Sequence, residues 1–82
     1  MVKVIFDKKF QKIFSKIKDN ISKEKVIRQI EKIKENPEIG KPMRYDRRGS
    51  RELYTGSFRL SYSFSVHENT IYLLDLYHKD EQ

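Results

Sequence analysis

Residues 58–66, Phe-Arg-Leu-Ser-Tyr-Ser-Phe-Ser-Val, decide the fold. Phe58, Leu60, Tyr62, Phe64 and Val66 alternate with Arg59, Ser61, Ser63 and Ser65, the period of two of a β-strand with one buried and one wetted face. Upstream, Gly56-Ser57 supplies a turn, and residues 51–55 form a partner strand. Downstream, His67-Glu68-Asn69 turns the chain into a last strand over residues 71–77. The predicted product is an antiparallel meander. One of its faces is apolar and needs a second layer to cover it.

That layer is written in the first half of the chain. Val2, Val4 and Phe6 alternate with Lys3 and Ile5, which predicts a short first strand. Phe10, Ile13, Phe14 and Ile17 then recur at helical spacing, a core-facing stripe on a helix of about residues 7–18. Ser22 is a candidate N-cap for a second helix that carries Val26, Ile27, Ile30 and Ile33 on one face, and Asn36-Pro37 ends it. With only residues 19–21 between them, the helices form an antiparallel hairpin. The expected class is α+β: an antiparallel or mixed sheet of about four strands, with an N-terminal strand followed by a helical hairpin packed on one face. Residues 1–82 are read as one domain, since no repeat or linker divides them.

Composition narrows the function. A chain of 82 residues buries only about 60% of its unfolded surface, so a large enclosed active site is not expected and function belongs on an open face. Without cysteine there is no disulfide framework and no thiol catalysis. Two histidines and scattered acids form no metal-ligand pattern, so neither metal nor cofactor is expected. No segment has the length and hydropathy of a membrane span or secretory signal, so the expected location is the cytoplasm, with no membrane partner. A net charge of +6 and a pI near 9.6 suit a nucleic acid, an acidic protein, or both. Lys41, Arg44, Arg47, Arg48 and Arg51 are concentrated in one stretch, opposed only by Asp46. The helical lysines alternate with acids and read as solvated faces.

Strand parity places the chemistry. If the apolar residues of the third strand face the helices, Arg59 points to the uncovered side. On the last strand Leu74 and Leu76 suit the covered side, which turns Asp75, Tyr77 and Lys79 to the open one. Tyr54 shares that face if Leu53 is buried, while the direction of Arg51 depends on where its strand begins. Residues 41–48 run along one edge as a cationic rim.

At these residues the chain resembles the RelE-type toxins of the RelE/ParE superfamily. The resemblance covers essentially the whole chain and rests on GKPM at residues 40–43, Gly49, RELY at residues 51–54, GSFRLSY at residues 56–62, and the closing Tyr77-His78-Lys79. The aromatic-Arg-aliphatic-x-Tyr segment around Arg59 is its most specific part. The resemblance implies a type II toxin that cuts messenger RNA in the ribosomal A site, is restrained by a cognate RelB-like antitoxin, and is a monomer when alone. The implied chemistry is attack of a ribose 2′-hydroxyl on the adjacent phosphate. The transition state gathers negative charge on nonbridging oxygens, which fixed cations stabilise. By match to the family, Arg59 takes that role first, and Lys79 stands where the family closes with arginine. Residues 41, 44, 47, 48 and 51 would bind the RNA backbone.

Histidine is the side chain most often used for proton transfer, which makes His78 a candidate general acid or base, but its parity matches Leu74 and Leu76, so a packed histidine is the competing reading. Tyr54 or Tyr77 could also supply a proton. Two departures from the family stand out: lysine replaces the closing arginine, and no aromatic residue follows it. A ParE-like toxin directed at DNA gyrase and a noncatalytic RNA- or protein-binding module are the alternatives. Convergence of Arg59, Lys79 and His78 on one phosphate would separate a nuclease from a binding module.

Overall fold

Two aspartates start the two helices. The computed structural model describes residues 2–42 and 49–78, and in it β1 (Lys3–Phe6) leads into α1 (Lys8–Lys16), α2 (Asn20–Glu35), β2 (Lys41–Pro42), β3 (Ser50–Thr55), β4 (Phe58–Ser65) and β5 (Thr70–His78). Asp7 caps α1 by accepting the amide of Lys9 at 2.9 Å. Asp19, not Ser22, caps α2: one carboxylate oxygen accepts the Ile21 amide at 3.1 Å and the other accepts the Ser22 hydroxyl at 2.9 Å. The carboxylate outcompetes the hydroxyl because it can satisfy two donors of the first turn at once. The hydrogen bond from Ser22, then that from Ile21, holds the Asp19 carboxyl below its usual pKa. The helix stops at Asn36, immediately before Pro37.

The strands form one mixed sheet in the order β1-β5-β4-β3-β2. β3, β4 and β5 make the expected antiparallel meander, and β1 adds in parallel to β5. The fifth strand is the addition to the expected four. Lys41 and Pro42, read from sequence as loop, pair with Glu52 and Arg51. A two-residue edge strand ending in proline carries almost no periodic signal.

The helical hairpin covers one face. Phe10, Ile17, Val26, Ile30 and Ile33 bury against Leu60, Tyr62, Ile71, Leu73 and Leu76. Each fully buried leucine contributes ~1.5–3 kcal/mol by leaving water. Two details of the period-two reading differ. β4 stops at Ser65, and Val66 lies exposed in the turn to β5. In β5 the buried residue is Leu73, not Leu74. A bulge leaves Leu74 without a cross-strand partner, because Tyr62 faces Leu73 while Ser61 faces Asp75. Beyond the bulge the parity is restored, with Leu76 buried opposite Leu60 and Tyr77 opposite Arg59.

Candidate active site on the open face of the sheet

The register of β3, β4 and β5 lines up Tyr54, Arg59 and Tyr77 in one cross-strand row on the face away from the helices. One row along, Lys41, Glu52 and Ser61 stand side by side, followed by Asp75 at the bulge. The Arg59 guanidinium is the centre of this surface. Its Nη2 donates to the Tyr54 hydroxyl at 2.7 Å, and its carbon lies 4.9 Å from the Tyr54 ring centroid and 5.7 Å from that of Tyr77. Its Nη1 lies 3.6 Å from Glu52 Oε2, a partly buried ion pair.

This setting holds the charge. The hydrogen bond with Tyr77, then the charge of Glu52, raises the pKa of Arg59 above the ordinary arginine value. The cation is therefore permanent, flanked by two aromatic rings and a carboxylate. Arg59 Nε, Glu52 Oε2 and Ser61 Oγ are buried and make no hydrogen bond with the described residues. Buried polar atoms normally find partners, and three without one among the described residues lie together beneath this face.

Among the sequence-predicted residues, Arg59, Tyr54 and Lys41 share this face, as does Tyr77. Arg51 does not. It pairs with Tyr62 on the covered side, and its Nη1 donates to the carbonyls of Gly40 at 2.7 Å and Glu38 at 3.1 Å, tying the connection between α2 and β2 to the sheet. His78 stands opposite Phe58, its ring edge-on at 5.6 Å, with parity opposite to that of Arg59. The described part of the site therefore gathers Arg59 with tyrosines and a carboxylate rather than with a histidine. Arg44, Arg47, Arg48 and Lys79 lie outside the described residues. No group of three or more potential metal ligands occurs among the described residues.

Sequence reading missed Glu52 and Ser61. The signal was present: Glu52 lies two residues before Tyr54 and shares its parity. It also passed over α2, where Lys25, Arg28, Gln29 and Lys32 border a groove of about 280 Å³ beside Tyr54, Thr55 and Gly56. Gln29 joins the helix to this edge by donating to the Tyr54 carbonyl at 2.9 Å. On the helical side of the molecule, Val4, Phe6, Phe10, Phe14, Ile27 and Ile30 line a second, apolar groove of about 520 Å³.

A family model described as the ParE toxin of the type II toxin–antitoxin system parDE matches residues 4–82. No curated protein matches the chain. Solved structures do. The toxin–antitoxin complex RelBE of E. coli contains a chain that superposes with a TM-score of 0.83 at 17% identity, over 100% of both chains. The YoeB/ParE toxin of Agrobacterium tumefaciens gives 0.84 at 18%, over 94% of this chain and 98% of that one. The RelBE2 complex of Mycobacterium tuberculosis gives 0.81 at 23%, over 95% and 98%. At these identities the likeness is one of fold.

Proposed function

Since this chain belongs to the ParE toxin family of type II toxin–antitoxin systems, we propose that it is a toxin of the RelE kind: a cytoplasmic endoribonuclease that cuts messenger RNA in the ribosomal A site and is silenced by a cognate RelB-like antitoxin. The observation that carries this reading is Arg59. Its guanidinium stays protonated on an open face between Tyr54 and Tyr77, where a single-stranded substrate can reach it.

The 2′-oxygen attacks the adjacent phosphorus and the bond from phosphorus to the 5′-oxygen breaks. A 2′,3′-cyclic phosphate and a 5′-hydroxyl result. Arg59 stabilises the charge that develops on the nonbridging oxygens. To grip them it gives up part of its contact with Glu52 and Tyr54, trading ground-state partners for transition-state ones. The Tyr54 hydroxyl, 2.7 Å from Arg59, is placed to hydrogen-bond the same phosphate or to hand a proton to the leaving oxygen. Flanking bases stack on the exposed Tyr54 ring. Lys41, Lys25, Arg28 and Lys32 hold backbone phosphates around the centre, and Lys79 adds its charge to the reacting one.

The second reading is a ParE-like toxin that acts on DNA gyrase without cutting RNA. It is favoured by the family model that matches and by the position of His78, which leaves the Arg59 face without an imidazole. Both readings are tested together. Incubation with programmed ribosomes, followed by mapping of mRNA ends, is expected to show cuts in the A-site codon that disappear with Arg59→Ala. Intact message, together with inhibition of gyrase supercoiling by the same preparation, would establish the second reading instead.

A further inference from the structure

We infer that Glu52 is the general base that takes the proton of the attacking 2′-hydroxyl; the inference rests on the ribonuclease reading above. Strand attack requires an acceptor within hydrogen-bond reach of the 2′-oxygen, on the same side of the phosphate as the nucleophile. The groups on this face are few. A lysine ammonium has no lone pair with which to accept, and the Tyr54 and Tyr77 hydroxyls already engage Arg59. Asp75 is occupied, with Oδ1 accepting the Leu76 amide at 2.8 Å and Oδ2 lying 3.7 Å from Lys9 Nζ. Glu52 is the remaining described carboxylate beside Arg59.

Its Oε2 is buried, makes no hydrogen bond with the described residues and lies 3.6 Å from Arg59 Nη1. Oε2 thus faces Arg59, and it is the other carboxylate oxygen that a ribose beside an Arg59-bound phosphate would meet. The side chain is 16% exposed, sheltered from bulk water rather than sealed. Across the strand pair, the buried Ser61 Oγ also lacks a described partner and is placed to donate to the carboxylate from below. In the step, the O–H electron pair of the 2′-hydroxyl forms the new bond to phosphorus as its proton passes to Glu52. The 5′-oxygen leaves with the P–O electron pair and takes up a proton, from Tyr54 or from water, so that charge and atoms balance.

A structural role would be different: Glu52 could act only through Arg59, holding its guanidinium in place. Glu52→Gln separates the two, because the amide keeps the size and can accept from Arg59 but cannot take up a proton. Single-turnover cleavage on programmed ribosomes is measured against pH for the wild type, Glu52→Gln, Glu52→Asp and Arg59→Ala, with thermal melting as the check on folding. Glu52→Gln is expected to bind ribosomes within about threefold of the wild type, to cleave about 10²–10⁴-fold more slowly, and to lose the acidic limb of the rate profile. Glu52→Asp is expected to keep that limb at a reduced rate. Cleavage by Glu52→Gln within about threefold of the wild type overturns the assignment, as does a slow Glu52→Gln that keeps the wild-type acidic limb. A wild type that cuts nothing removes the ribonuclease reading itself, an outcome distinct from an active wild type whose cleavage ignores Glu52.

Discussion

Tyr62 shows how a residue of the sequence pattern becomes a fixed point of the fold. Its ring is fully buried, its hydroxyl donates to the Pro37 carbonyl at 2.7 Å, and it accepts the Gly40 amide at 2.9 Å. Position 40 has room only for glycine: a Cβ there would lie 2.6 Å from the Tyr62 hydroxyl oxygen and 2.9 Å from Arg51 Cβ. Burial raises the pKa of this tyrosine above its ordinary value. The folded state therefore holds the proton more tightly than the unfolded chain. The resulting stability is complete below the unfolded pKa near 10 and is lost as pH rises through the higher folded value. Tyr62→Phe is expected to cost about 1–3 kcal/mol at pH 8, by orphaning a partly buried carbonyl and a buried amide, and to flatten the alkaline fall in stability. Tyr72, raised by its hydrogen bond with Glu68, leaves a residual slope. Urea unfolding at pH 8, 10 and 11 measures both effects, and an unchanged alkaline slope in the variant would remove Tyr62 as its source. The burial of Tyr62 was legible from alternation alone. The role of Arg51 was not, because the strand start that sets its parity depends on pairing with Pro42, far from any local signal.

At the scale of elements, the sequence specified most where periodicity was long. The helical stripes and the eight-residue β4 dictated their own type and most of their buried faces, but Ile27, read onto the core face of α2, is 48% exposed at the rim of that face. Where two leucines sit together, periodicity says nothing, and the bulge at Leu74 was invisible because its cause is the register of a neighbouring strand. The bulge matters to the site, since it allows Leu73 and Leu76 both to face the core while Tyr77 still falls opposite Arg59. Leu73→Ala is expected to lose about 2–5 kcal/mol, and Leu74→Ala less than half of the Leu73→Ala loss. Denaturant midpoints at constant m-value test this. Equal losses would mean that Leu74 carries as much of the packing as its buried neighbour.

The whole molecule offers two unlike surfaces, and its net charge of +6 acts on both. The open face, with Arg59 and Lys41, and the basic edge of α2 that borders it are polar and suited to phosphate. The groove between β1 and the helical hairpin is apolar and leaves Phe6 and Ile27 about half exposed. An acidic antitoxin that folds as it binds can use both, whereas RNA gains little from the second. Raising monovalent salt from about 50 to 300 mM is therefore expected to weaken ribosome binding more steeply than antitoxin binding, because counterion release governs the first and burial of apolar surface supports the second. Ile27→Asp sharpens the contrast. It places a charge in the groove without touching the buried core, so it should weaken the antitoxin complex by tenfold or more, about 1.4 kcal/mol, and leave mRNA cleavage unchanged. Parallel titrations of one toxin preparation with antitoxin and with programmed ribosomes decide the matter. If the antitoxin complex proves as salt-sensitive as the ribosome complex and indifferent to Ile27→Asp, then inhibition works through charge alone and the apolar groove has no part in it.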